Sequence, residues 1–183
     1  LVELERPIPK QNEVLIKVKA SSVTRGDVSL RKISRLILVP VGFLFGFKPM
    51  KVTGVELAGV VEAIGSDVKQ FNKGDQVYGT TTGLTYGANA EYVCVPEKPK
   101  KGVLVKKPDN ISFMDAAVIS VGGMTALHIL RKANIQKGQK VLIYVASGSV
   151  GTYAVQLSKY LGAEVTGVCS ANNSEMVRSL GAD

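Results

Sequence analysis

Lys140-Val-Leu-Ile-Tyr-Val-Ala-Ser-Gly-Ser-Val-Gly-Thr152 is the stretch on which the fold turns. Residues 141–145 are apolar and partly β-branched, the composition of a strand buried in a parallel sheet. The run breaks at Ser147-Gly-Ser-Val-Gly151 and resumes as Tyr153-Ala-Val-Gln-Leu-Ser-Lys-Tyr-Leu161, where the apolar spacing is helical. Glu164-Val-Thr-Gly-Val-Cys169 then reads as a second strand, closing a βαβ unit of about 30 residues. Strand, glycine turn and helix together aim free backbone N–H groups and a helix N-terminus at a phosphate. Ser147, Gly148, Ser149, Val150 and Gly151 are therefore candidate binding residues for a dinucleotide, and a plain α/β packing turn is the competing reading.

Beyond the second strand, Ser174-Glu-Met-Val-Arg-Ser-Leu180 is helical in pattern, and Gly181 has the place of a C′ residue. A doubly wound nucleotide domain needs about six strands, and two can be read here. Leu1-Val-Glu-Leu also opens in mid-element. The expectation is a piece of a longer protein, carrying the first half of its nucleotide domain.

Upstream the texture changes. Glu13-Val-Leu-Ile-Lys-Val-Lys-Ala20 alternates as a half-buried strand does, and residues 53–65 supply one or two more. Gly65-Ser-Asp-Val and Lys73-Gly-Asp75 are turns, the latter feeding Gln76-Val-Tyr-Gly79; Glu91-Tyr-Val-Cys-Val-Pro96 is a further strand. Short strands divided by glycine and Asp/Asn turns predict a partly open barrel. Ser112-Phe-Met-Asp115 has capping spacing, with Asp where Glu or Gln is usual, and opens a helix running towards Arg131-Lys132. Asn134-Ile-Gln-Lys-Gly138 is the turn into the glycine-loop strand. Two domains follow, residues 1–112 and 113–183.

Composition narrows the function. With 45% apolar and 21% charged residues the chain is globular. Its formal charge of +8 is dispersed except around Lys98, Lys100, Lys101, Lys106 and Lys107. That cluster lacks interleaved aromatics and is broken by Pro96, Pro99 and Pro108, so it reads as a solvated loop and not as a nucleic-acid footprint. No run has the length of a membrane span; the nearest, residues 36–47, is broken by Pro40, Gly42 and Gly46. That segment reads as an apolar wall of a substrate cleft, as a membrane-facing loop or as ordinary packing. Cys94 and Cys169 sit among apolar neighbours, as buried reduced thiols in a cytoplasmic protein do.

The order of segments resembles the medium-chain dehydrogenases/reductases. Gly54-Val-Glu-Leu-Ala-Gly-Val-Val-Glu-Ala-Ile-Gly65 is similar to that family's signature, and Phe71-Asn-Lys-Gly-Asp-Gln-Val-Tyr-Gly79 to the turn and strand after it. Ala88-Asn-Ala-Glu-Tyr-Val93, Gly123-Met-Thr-Ala126 and the loop at 146–151 follow in the family's order. The resemblance implies a GroES-like, mainly β, barrel-like catalytic domain followed by the first part of an α/β Rossmann domain. It also implies hydride transfer from a nicotinamide cofactor in the cleft between them, and a homo-oligomer when full length.

The family's zinc-dependent alcohol dehydrogenases hold their catalytic metal with Cys, His and Cys. The cognate positions here are Arg25 or Gly26, Val55, and Val121 or Gly122, none able to ligate zinc. The cysteine-rich structural lobe is missing too, and the single histidine, His128, reads as a helix surface residue. The resemblance thus points to the zinc-free branch that reduces quinones and α,β-unsaturated carbonyls. There the protein orients the cofactor against an apolar, conjugated acceptor and stabilises the developing oxygen charge.

Thr24 and Asp27 then stand where relatives carry catalytic residues, and turn formation is the alternative. Thr125 resembles the family's nicotinamide-contacting threonine, with helix packing as the alternative. At the end of the second strand, NAD-preferring folds place an acid on the ribose 2′-OH. Here Cys169-Ser-Ala-Asn-Asn-Ser174 has none before Glu175, so Ser170 and Asn173 can donate to a 2′-phosphate and NADPH is favoured. Two departures count against cofactor affinity: Val145 opens the loop where the family has Gly or Ala, and Ser120 replaces a common proline. Val145 and the lack of an obvious proton donor keep open a second reading, a non-catalytic NADP(H)-binding relative acting as sensor or structural protein.

Overall fold

The computed structural model describes residues 3–32, 52–81, 87–100 and 102–183. The apolar segment at 36–47 and Lys101 lie outside the described residues. The chain divides into two compact units between Ser120 and Val121.

In the first unit, β1 (Glu13–Ser21), α1 (Arg25–Lys32), β2 (Glu56–Ile64), β3 (Gln76–Thr80), β4 (Tyr92–Pro96) and β5 (Leu104–Lys106) follow in order. The strands form one sheet, β4-β1-β2-β3-β5, and every pairing is antiparallel. Glu13 stands opposite Pro96, and Val14 opposite Ile64. The β1–β2 register slips twice, between Leu15 and Ile16 and between Val18 and Ala20, which bends β1. Val14, Ile16, Leu57, Val61, Val77 and Val95 fill the interior with Phe71 and Leu104. β2 does not alternate: Glu56, Leu57, Ala58 and Gly59 are all buried. Leu57 faces the main core, while Ala58 meets a second cluster with Ala116 and Ala117.

β5 corrects the sequence reading, which took residues 98–107 for a solvated loop. Leu104 is buried and the strand pairs with β3, Val77 opposite Lys106. Lys106 forms an ion pair with Asp75 at 2.8 Å. Lys107 is only 9% exposed; its Nζ donates to the carbonyls of Pro108 (2.9 Å) and Ile111 (2.8 Å) and lies 5.3 Å from the Phe113 ring centre. A buried ammonium is tolerated here because two of its three donors meet carbonyls and a ring face lies beside it.

α2 (Phe113–Ala133) begins at the expected cap. The Asp115 N–H donates to Ser112 Oγ at 3.1 Å, and that hydroxyl donates to the Asp115 carboxylate at 2.6 Å. The shorter Asp thus takes the hydroxyl of the cap residue instead of its N–H. Ala116, Ala117, Ser120, Ala126 and Leu130 are buried at helical spacing. By length and composition alone this helix is long and apolar enough to cross a membrane, with a mean hydropathy of 1.6, a property that core helices share. The small residues Gly122, Gly123 and Thr125 continue the apolar helix.

In the second unit, β6 (Lys140–Tyr144) and β7 (Glu164–Val168) are parallel, in register from Lys140 opposite Glu164 to Tyr144 opposite Val168. α3 (Ser149–Tyr160) joins them, and a 3₁₀ turn (Ala171–Asn173) leads into α4 (Ser174–Ser179). The βαβ unit read from the sequence is present. Ile143, Ala146, Val155, Val165 and Val177 form its core on one sheet face. On the other, Leu142 (69% exposed), Tyr144 (78%) and Val168 are open. Asp183 closes the outer edge of β7 at Val165: its N–H donates to the Val165 carbonyl, and its carboxylate accepts from the Val165 N–H, both at 2.7 Å.

Candidate functional site

In the second unit the loop between β6 and α3 is a tight turn. Val145 has φ +59°, a left-handed conformation that a β-branched residue adopts only under constraint. Its carbonyl accepts the Gly148 N–H at 2.9 Å. Just beneath, the Ala146 N–H bonds to the Val168 carbonyl at 2.9 Å, which continues the β6–β7 ladder into the loop. Gly148 is the N-cap of α3 and has no side chain to satisfy the first turn. Thr152 makes its bond to the Gly148 carbonyl, so the N–H groups of Ser149, Val150 and Gly151 have no acceptor within the helix.

Gly151 is bare of necessity. A Cβ there would lie 2.3 Å from the Val145 carbonyl oxygen and 2.8 Å from Ala146 Cα. At Gly148 the same addition would meet Val145 atoms at 3.2 and 3.3 Å, a milder conflict. Gly151 therefore lets the first turn of α3 sit against β6, and Gly148 keeps the loop backbone open.

Around this turn three of the candidate side chains come together. Asn173 Nδ2 donates to Ser147 Oγ at 3.2 Å and to Ser170 Oγ at 3.1 Å. Ser147 follows β6 and Ser170 follows β7, so one amide spans the carboxyl ends of neighbouring parallel strands. Thr125 is exposed on α2. One turn before it, Gly122 abuts α3, since a Cβ there would meet Ser149 Oγ at 2.6 Å. Arg178 lines a trough of about 300 Å³ with Cys169, Ser174 and Asp183, beside the end of β7.

In the first unit Asp27 is buried, and its carboxylate accepts the Thr24 N–H (2.8 Å), the Thr24 hydroxyl (2.7 Å) and the Gly54 N–H (2.8 Å). Burial pushes its pKa up, but the hydrogen bonds from Thr24 and Gly54 outweigh that and hold it below the usual carboxylate value. It is therefore an ionised acceptor at neutral pH, with no proton to give. Thr24 and Asp27 together cap α1 and tie it to the chain entering β2.

Sequence reasoning missed the rest of this cluster. Gly54 has φ +97°, and a Cβ on it would lie 2.5 Å from the Asn89 N–H nitrogen. Asn89 Nδ2 donates to Thr53 Oγ1 at 3.1 Å, and the buried Glu56 accepts the Ser22 hydroxyl at 2.6 Å. The available signal was Glu56 itself, an acid inside an otherwise apolar strand.

Residues 10–109, which contain all of β1 to β5, match the alcohol dehydrogenase GroES-like domain family. The chain belongs to that family. The GroES-like domain is followed by the start of a Rossmann domain, the order the sequence motifs implied. The chloroplast envelope quinone oxidoreductase homolog of Arabidopsis thaliana is 37% identical over 191 residues, covering 100% of this chain and 54% of that protein. The quinone oxidoreductase structure from Coxiella burnetii is 33% identical with a TM-score of 0.83, covering 100% of this chain and 55% of that one. The Escherichia coli quinone oxidoreductase complexed with NADPH is 28% identical with a TM-score of 0.80, covering 99% and 52%. The chain thus spans about half the length of the relatives it matches.

Proposed function

We propose that this chain carries the substrate domain (residues 1–112) and the cofactor loop (within residues 113–183) of a zinc-independent, NADPH-dependent oxidoreductase. Its reaction is hydride transfer to quinones or α,β-unsaturated carbonyls. The observation that carries the reading is the turn at 145–151. Three N–H groups without helical acceptors, a glycine that cannot bear a Cβ and two serine hydroxyls converge at the ends of two parallel strands. That donor set fits the pyrophosphate and ribose of a dinucleotide.

A bound nicotinamide cofactor supplies the hydride. The chain's own residues do the rest. Ser149, Val150 and Gly151 bind pyrophosphate oxygens through their N–H groups, and Thr125 orients the nicotinamide. Ser147 and Ser170 hold the ribose side, where the absence of an acid before Glu175 leaves room for a 2′-phosphate. Thr24 serves the substrate side, and Asp27 acts as a positioning residue that fixes Thr24 and α1 to Gly54.

Zinc independence rests on chemistry: glycine, valine and arginine side chains at the cognate ligand positions offer no ligand for zinc. The free cysteines Cys94 and Cys169 favour a reducing compartment, and we place the protein in the cytoplasm as a homo-oligomer. The decisive experiment measures NADPH and NADH consumption by the full-length protein with a panel of quinones and enones, after chelator treatment and elemental analysis. Turnover without stoichiometric zinc, at lower KM for NADPH, supports the proposal. Stoichiometric zinc, or an equal or lower KM for NADH, overturns the corresponding part. Binding without turnover would favour the non-catalytic reading, for which the constrained Val145 is the supporting observation.

A further inference from the structure

The side chain that joins the two strand-end loops is Asn173, the last residue of the 3₁₀ turn. An amide nitrogen has two N–H donors and no acceptor. Both donors are spent inside the protein, one on Ser147 Oγ and one on Ser170 Oγ. The Asn173 backbone N–H is also committed, to the Ser170 carbonyl at 2.9 Å. Asn173 therefore has no N–H left for a ligand.

The polarity of the two serines follows. Each hydroxyl accepts from the amide, so each keeps its own proton available for donation elsewhere. Among the described residues neither Ser147 nor Ser170 donates its hydroxyl proton to a protein acceptor; each is seen as the acceptor of an Asn173 N–H. Two hydroxyls on neighbouring strand ends are thereby turned into donors on the side where α3 presents its free N–H groups. An anionic ligand needs donors there, and a serine that donated to a protein acceptor would instead present a lone pair.

We infer that Asn173 is a positioning residue. It does not touch the cofactor; it locks the loops after β6 and β7 together and sets Ser147 and Ser170 as hydrogen-bond donors to the phosphate and ribose oxygens of the dinucleotide. The inference rests on the dinucleotide reading of the loop. It assigns Asn173 a different role from the direct 2′-phosphate contact that its position in the sequence suggests.

The test measures equilibrium dissociation constants for NADPH and NADH with the full-length protein, together with the denaturation midpoint of each variant. N173A should weaken both ligands by about tenfold, because both carry the pyrophosphate and the ribose that the serines serve. N173D keeps two bonds but reverses them, since a carboxylate only accepts. The serine protons turn inward, and binding should fall by more than tenfold with the midpoint retained. In an S147A/S170A background, N173A should cost less than about twofold, because its effect runs through the missing hydroxyls, and N173D should retain only the part due to its charge. A tenfold loss for N173A in that background would mean that Asn173 contacts the ligand directly, which overturns the inference. Unchanged binding by N173A in the wild-type background overturns it as well. If the wild-type protein binds neither dinucleotide, the underlying reading of the loop fails and takes this inference with it.

Discussion

Replacing Gly151 with alanine tests whether the first turn of α3 is held against β6 as tightly as its geometry demands. The added carbon would lie 2.3 Å from the Val145 carbonyl oxygen, 2.8 Å from Ala146 Cα and 2.9 Å from Ala146 C, all backbone atoms that cannot rotate away. Reaching ordinary contact needs a displacement of about 1 Å between helix and strand. Overpacking of this kind costs about 1–3 kcal/mol, and the better helix propensity of alanine returns about 1 kcal/mol. Because the strain is at the upper end, a net loss of about 2 kcal/mol is expected. Urea unfolding at constant m-value reads it directly. The same movement shifts the N–H groups of Ser149, Val150 and Gly151, so NADPH affinity should fall more than tenfold, about 1.4 kcal/mol. Gly148→Ala is the control, as its Cβ would meet only Val145 atoms, at 3.2 and 3.3 Å, and should cost under about 1 kcal/mol. If Gly151→Ala unfolds at the wild-type midpoint, the packing argument is wrong.

Val145→Gly should stabilise the protein by about 1 kcal/mol, because it removes left-handed strain from a side chain that is 56% exposed and packs little; a lower unfolding midpoint would refute this. Asp27→Asn should destabilise the protein by about 1–3 kcal/mol at pH 7. Because the folded Asp27 pKa lies below its unfolded value, its contribution is complete above about pH 4 and is lost as pH falls through the folded pKa. The gap between wild type and variant should therefore narrow in acid, and a gap constant from pH 7 to pH 3 would disprove the assignment. Ser170→Asp should raise the KM for NADPH relative to NADH through charge repulsion at the rim, which steady-state kinetics with both cofactors will show.

Much of this architecture is legible in local sequence. The βαβ unit is marked by a change of period from strand to helix and back, with glycines at the junction. The long strands β1 and β2 and the Ser112 cap carry their own short-range signals. What escaped depends on partners distant in the chain. β5 is three residues long and two of them are exposed, so only its pairing with β3 makes it a strand. Lys107 reads as a surface charge until the carbonyls of Pro108 and Ile111 close around it. The commitment of Asp27 to Gly54 crosses 27 positions, and the Asn173–Ser147 bond crosses 26. Ser147, Ser170 and Asn173 stand out in the sequence by type and place, whereas the hydrogen bonds that join them appear only when the two loops are seen side by side.

The strand registers also set an order of assembly. Closing β1 on β4 joins Glu13 to Pro96 across 83 residues, whereas β6 and β7 join Lys140 to Glu164 across 24. The longer closure costs about 1.1 kcal/mol more in chain entropy. Non-local antiparallel sheets gain their contacts late and fold slowly for this reason. The βαβ unit with its turn at 145–151 should therefore form early and the five-stranded sheet afterwards. In pulsed hydrogen exchange, the amide at Ile143 should be protected before those at Val14 and Val95. The slow step of folding then lies in the first unit, and destabilising variants of β1 or β4 will reduce the yield of folded protein while leaving the turn at 145–151 intact.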